Sequence, residues 1–322
     1  MPATITHTYF AKDLYEVLPE SISSKIDLKR TKMFSQSTDS IMFYNILSLK
    51  SGKSLRKFQY YFHTHKTNEF FINLLNFVRL HDIKDQDTYS FIVGFIAHYI
   101  LDSTVHPYVV YKTGMFNKKD KTTYKYNNIH YFMETFLDND MIKRRENINP
   151  YKFKMSKFWY DKRKFSIDLE NTIDYSFYTT FNIKGMSYKY YKSLKQMKTF
   201  INLFRRDTLG IKRFFYKLID TFTPRNVFRF EALSYHYPLD DKHNFLNSIH
   251  KEWRNPCDFD LISTESFVDL YLKSLKDARS VIMKVFDFLN GEDVDLDKLL
   301  LNKSYISGIN LDEEKELKYF EF

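Results

Sequence analysis

Five residues between Phe91 and Asp138 have the types and spacing of a metal site: His98, Asp102 and His106, then His130 and Glu134. Side chains four apart on a helix lie one turn above another on the same face. Two pairs of this kind, His-x-x-x-Asp and His-x-x-x-Glu, on neighbouring helices can aim four ligands at one point, as metal sites inside helical bundles do. The first segment, FIVGFIAHYILDSTVHPY, is mostly apolar, so His98 and Asp102 sit among residues that seek burial. Buried carboxylates are scarce unless paired or coordinated, because losing their water is costly. The chain has a single cysteine, Cys257, which cannot build a Cys-rich structural site. Histidine and carboxylate donors with an open position favour hydrolytic chemistry, so a metal here would be catalytic.

The elements that must position these residues are read as helices. Seven Gly and seven Pro are few for 322 residues, which argues against a sheet-and-turn fold. With 43% apolar residues the chain can bury a sizeable core. Residues 1–30 read as an extended start and a helix striped by Phe10, Ala11, Leu14 and Leu18, with His7 at or just before its first turn. Asp39 reads either as an N-cap for the apolar segment Ile41–Leu47 or as a ligand leading into the core. Residues 54–80 form one amphipathic helix. It carries His63 and His65, which diverge on a helix, so at most one faces a common site. Helices follow at 88–105, ended before His106 by Pro107, and at 128–145. The basic loop between them is either a lid or headgroup contact or an ordinary solvated loop. Further helices are expected at 167–183, 185–205, 208–221 and 262–291, the last capped by Thr264 and stopped by Gly291. Residues 231–258 read as an irregular connector whose His236, His243 and His250 are surface or core residues. The acidic tail reads as a short helix or loosely ordered. No repeat or linker divides the chain. The expectation is a single all-helical domain over 1–322, with a metal-binding half at 1–145 and a helical half at 146–322 completing the core.

The net charge of +9 and pI near 9.1 are compatible with anionic partners. The lysines are spread along the whole chain, however, as solvated helix faces would have them, and nucleic acid is not the expected partner. No basic start followed by an apolar run marks a leader, and no window approaches the roughly 18 apolar residues of a membrane span. Together with the single cysteine, this reads as a cytoplasmic protein of a reducing compartment.

The string AHYILDSTVHPY followed by IHYFMETFLD resembles the ligand run of the bacterial zinc-dependent phospholipase C family: His-x-x-x-Asp, a downstream His, then His-x-x-x-Glu. The stretches THTYFAKDL and SQSTDSIMFY are similar to its early His and Asp motifs, so the resemblance covers residues 1–140. The remainder, including HYP and H-x-x-W-x-x-P between His236 and Pro256, looks like the longer, intracellular members. The resemblance implies an all-α, multi-helix bundle of the phospholipase C and single-strand nuclease type, with extra C-terminal helices and two or three zinc ions in a cleft. One ion would be held by Asp39, His63, His98 and Asp102, and a second by His106, His130 and Glu134. A third would take His7 and Asp102. His63 is preferred to His65 because Thr67 completes a His-x-x-x-Thr arrangement. The implied reaction is attack of metal-bound hydroxide on the phosphorus of a phospholipid or related phosphodiester, with Asp39 as general base, Asp102 bridging ions, and transient contact with a membrane surface. Two departures stand out. No Trp near the N-terminus accompanies His7, and Ser-Thr-Asp replaces Gly-Pro-Asp around Asp39. Competing readings are a single-strand nuclease, which would carry Asp where Glu134 stands, and a non-catalytic, metal-stabilised helical protein.

Overall fold

Helices begin where a short polar side chain can take up free backbone N–H groups, and those of this protein start that way. In the computed structural model, which describes residues 4–46, 54–224, 227–236 and 238–321, Asp85 accepts the N–H of Thr88 and Ser166 that of Leu169. The principal helices are α1 (Thr4–Val17), α2 (Leu28–Phe34), α3 (Arg56–Thr64), α4 (Thr67–Leu80), α5 (Gln86–Thr113), α6 (Ile129–Glu146), α7 (Ile167–Phe181), α8 (Met186–Phe200), α9 (Ile211–Phe222) and α10 (Phe267–Leu289). A 3-10 segment, Ser37–Phe43, follows α2, and a π turn, Ile201–Arg205, extends α8. The architecture is all-α. Its only sheet among the described residues is an antiparallel hairpin of β1 (Trp253–Asn255) and β2 (Asp258–Ser263), pairing Trp253 with Ser263.

The central element is α5. Apolar on nearly every side, it is buried along most of its length and is packed by α1, α2, α6 and α10. Gly94 lets α2 approach closely, since a Cβ there would lie 2.7 Å from that of Phe34. One hydrophobic cluster runs from Ile5 to Tyr305 and includes Phe177 and Tyr190 of the later helices. No described helix is long and apolar enough to cross a membrane.

Several local expectations are corrected. The helix through His98 does not stop at Val105 but continues through Pro107 to Thr113. Proline inside a helix costs about 3 kcal/mol, whereas burying Val105, Tyr108, Val109 and Val110 contributes about 1.5–3 kcal/mol each. Packing therefore overrides the local preference. The helix expected over 54–80 is two, broken where Lys66 adopts left-handed geometry (φ 56°). Helix α1 is already helical at Thr4, so His7 lies in its first turn. Asp39 lies inside the 3-10 segment and caps nothing there, the N-cap being Gln36; Leu47, the end of the segment it was set to cap, lies outside the described residues. Ile262 and Ser263 belong to β2, and α10 starts at Phe267 under a capping box of Ser266 and Asp269 rather than under Thr264. The tail is neither helical after Leu299 nor loose. Tyr305 donates its N–H to the His63 carbonyl, Lys318 to that of Pro256, and Glu321 pairs with Lys112.

The tail's fit depends on Gly308 (φ 68°), where a Cβ would collide with the carbonyl oxygen of Ser103, the one that Pro107 leaves without a helical donor. Gly308→Ala should lower stability by about 2–4 kcal/mol, combining left-handed strain with overpacking. Gly185→Ala, equally left-handed (φ 61°) but with open space around it, should lose only about 1 kcal/mol. Equal shifts in urea midpoint for the two variants would refute the collision.

Candidate metal centre

Three side chains of α5 stand one turn apart on one face: His98, Asp102 and His106. Asp102 is the junction, with Oδ1 3.2 Å from His7 Nε2 and Oδ2 3.1 Å from His98 Nε2 and 3.6 Å from His106 Nδ1. Asp39 lies opposite, with Oδ1 3.3 Å from His63 Nε2 and Oδ2 3.4 Å from His98 Nε2. The rings of His7 and His98 stack at 4.2 Å. On α6, His130 Nε2 is 2.9 Å from Glu134 Oε1, and the His106 and His130 rings are 5.9 Å apart. Two groups result. His7, Asp39, His98 and Asp102 can each offer one ligand atom with all of them within 4.8 Å of one another, and so can His106, His130 and Glu134. His63 adjoins the first through Asp39. His65, by contrast, is exposed and stacks on Tyr61. Thr67 is turned away and bonds the tail at Lys303. His236 stacks on Tyr151, His243 on Phe245, and His250 is exposed, all apart from the two groups.

The outer nitrogen of each ring explains its aim. His98 donates Nδ1–H to the Ser35 carbonyl at 2.9 Å, His63 to that of Gln59 at 2.9 Å, and His106 to that of Tyr305 at 3.0 Å. Thr113 gives its hydroxyl proton to Val109, so its oxygen is left to accept from His130 Nδ1 at 3.3 Å. With the proton on Nδ1, each Nε2 carries a lone pair facing inward. At His98 that lone pair faces the carboxylate oxygens of Asp39 and Asp102, acceptor against acceptor in a dry interior, whereas His63 Nε2 also meets the Thr38 hydroxyl at 3.2 Å. The inner atoms His98 Nε2, Asp39 Oδ2 and Asp102 Oδ2 are buried with no hydrogen-bond donor or acceptor. A cation resolves that conflict. Five imidazoles, counting His63 beside the two groups, and three carboxylates form the nitrogen and oxygen donor set that zinc takes, and a cavity of ≈ 30 Å³ lies among His7, Asp102, His106 and Glu134.

Without a cation, the imidazoles around the two aspartates balance their charge. Burial pushes the Asp39 carboxyl up, but His98 and His63 outweigh it and hold it below the ordinary carboxylate range. Asp102 is likewise pushed up by burial and held well below that range by His106, His98 and His7. Burial pushes His106 below the ordinary imidazole value, which keeps it neutral and able to ligate. His7 is raised, Asp102 and its neighbours winning over burial.

Exposure separates the two groups. The side chains of His106 and His130 are 17% and 27% exposed, against 0–4% for His7, Asp39, His98 and Asp102. The outer group opens onto a cleft of ≈ 370 Å³ walled by Arg56, Tyr60, Phe116, Tyr126 and Tyr131. The loop between α5 and α6 supplies part of that wall through Gly114, Met115 and Phe116, while Lys118, Lys119 and Lys121 are exposed to solvent.

Several residues at the centre carry no signal that spacing alone reveals. Gln59 donates to Asp39 Oδ1 at 2.9 Å. Tyr305, from the tail, packs edge-on against His63 at 4.8 Å while its carbonyl fixes His106. Asp138, one turn beyond Glu134, accepts from the N–H groups of Ile5 and Thr6 and thereby pins the start of α1 beside His7.

Against known proteins, residues 6–202 match the family model described as zinc dependent phospholipase C. The match runs from the first turn of α1 into the π turn after α8 and includes every side chain of both groups. Neither the curated proteins nor the solved structures contain a match.

Proposed function

The chain belongs to the zinc-dependent phospholipase C family, and from that premise we propose that it hydrolyses a phosphodiester, a phospholipid or a close relative, at the cleft above the two ligand groups. The observation that carries the reading is the convergence of His98 Nε2 and the Asp39 and Asp102 carboxylates on one buried point, a donor set that a bound cation would satisfy. His63, Asp39, His98 and Asp102 would hold one zinc ion, and His106, His130 and Glu134 a second. The His7–Asp102 side of the small cavity would take a third. Zinc bound there supplies a Lewis acid that neutralises phosphoryl charge and brings the pKa of a bound water to about 7.

The protein's own residues do the rest. Asp39, ionised and lining the cleft, is placed to accept a proton from the attacking water, and Gln59 orients it from Oδ1. His106 and His130 form the cleft floor nearest solvent, where the phosphate of a substrate first meets the site. Arg56 on the wall offers a guanidinium to phosphate oxygens. We read 1–322 as one domain, because the hydrophobic cluster that surrounds α5 also contains Ile282 of α10 and Leu300 beyond it.

Purified protein should carry two or three zinc ions per chain by elemental analysis. It should turn over a fluorogenic phosphocholine ester, and chelation should abolish turnover until zinc is restored. Metal-free protein as isolated, or cleavage of single-stranded DNA with none of the ester, would overturn the reading.

A further inference from the structure

We propose that α9 is a membrane-docking helix that seats the protein on a phospholipid surface beside the cleft. Its sequence, IKRFFYKLIDTF, has an apolar stripe at Ile211, Phe214, Phe215, Leu218, Ile219 and Phe222. A soluble helix turns such a stripe to the core, and here the order is inverted. The stripe faces solvent, from 47% exposed at Leu218 to 81% at Phe222, and the helix has no buried residue. The polar side is what binds the body. Arg213 donates to Glu231 at 3.1 Å and to the His236 carbonyl, and Tyr216 to the Phe204 carbonyl at 3.0 Å. Asp220 accepts the N–H groups of Phe230 and Glu231, each at 2.9 Å. Twelve residues are too few for a stable isolated helix, so these bonds present the apolar face rather than bury it.

Charge selects the occupant. The two acids of the segment, Asp207 and Asp220, are turned inward onto backbone N–H groups, while Arg206 is exposed and Lys217, though it reaches Glu231 at 3.4 Å, keeps its side chain half exposed. An apolar face rimmed by cations is what an interfacial helix presents to lipid, its rings among the acyl chains and its cations at the phosphates. A second copy would bring the same cations face to face. The helix also adjoins the proposed site. Beyond it Phe228 packs edge-on against Tyr131 at 5.1 Å, and Asn127 donates to the Val227 carbonyl at 2.8 Å. Tyr131 and Asn127 both line the cleft. Lipid held by α9 would therefore lie on the side of the cleft walled by Tyr131 and Asn127.

The phospholipid-hydrolase reading gives this surface its purpose, but its test needs no turnover. The full-length protein is sedimented with vesicles of phosphatidylcholine, with and without phosphatidylglycerol. Wild type should pellet with both and more tightly with the anionic ones. Phe215→Asp with Leu218→Asp, and separately Phe214→Ser with Phe222→Ser, should each weaken binding at least about tenfold. Because these side chains are solvent-exposed, circular dichroism and turnover of a soluble short-chain ester should not change. Vesicle binding by a protein that hydrolyses nothing would uphold the surface while the hydrolase reading fell. Wild type remaining in the supernatant, both double variants pelleting like wild type, or a dimer abolished by the variants without vesicle binding would each overturn the proposal.

Discussion

Asp102→Asn should remove zinc from the protein and lower phosphodiester turnover by at least about a thousandfold, in the upper range for removal of one preorganised electrostatic group. The reason is position. Asp102 is the only residue of the centre that faces His7, His98 and His106 together, so its charge serves both ligand groups. Asparagine keeps the volume, and the fold should survive by circular dichroism, because the apolar packing around α5 is untouched. An Asn nitrogen set among imidazole nitrogens offers a cation nothing. His65→Ala is the matched control: the ring sits two residues from His63 but stacks outside on Tyr61, and neither zinc content nor turnover should respond. Full zinc occupancy with near-wild-type kcat/KM in Asp102→Asn would remove Asp102 from the centre.

The parts of this protein legible from sequence are those whose physics is local. A period of four was enough to place His98 and Asp102 on one face and His130 and Glu134 on another, though not to put His106 on the first, and low Gly and Pro content was enough for an all-α fold. Local reasoning failed where distant packing decided the outcome. Pro107 argues for a helix end, yet α5 continues because Tyr108, Val109 and Val110 have a core to enter. The break at Lys66 is invisible in an amphipathic stretch, since what it achieves is to let Thr67 reach Lys303, more than two hundred residues away. Tyr305 belongs to a tail that reads as a short helix or loosely ordered, and only the folded chain brings its carbonyl to His106. The apolar stripe of α9 was legible as a helix. That it faces outward was not, because nothing in a helix's own sequence says which side its neighbours will bind.

Asp138→Asn should destabilise the protein by about 2–4 kcal/mol, a large share of the roughly 5–15 kcal/mol that holds a native fold, because a buried donor left unpaired costs about 1–3 kcal/mol. Asp138 is fully buried on α6, one turn beyond Glu134. Its carboxylate accepts from Thr6 N at 2.8 Å, Ile5 N at 3.1 Å, Thr6 Oγ1 at 3.0 Å and Tyr235 Oη at 2.6 Å, with Arg205 Nη1 3.9 Å away. Those backbone groups belong to the first turn of α1, where N–H groups have no helical partner and the helix dipole favours an anion. One side chain thus ties α1 and the π turn to α6 and fixes the residue before His7. In the Asn variant an amide nitrogen would face these donors, and the Arg205 guanidinium would remain buried without its counter-charge. Tyr235→Phe, which deletes one neutral donor to the same carboxylate, should lose only about 1–2 kcal/mol. Urea midpoints measured on chelated protein separate this scaffold effect from metal binding. Zinc content measured on the loaded protein should then fall at the His7 position while the His106–His130–Glu134 group, whose own anchors at Tyr305 and Thr113 are untouched, retains its ion. Equal urea midpoints for Asp138→Asn and Tyr235→Phe would show that the charge at this position does not matter.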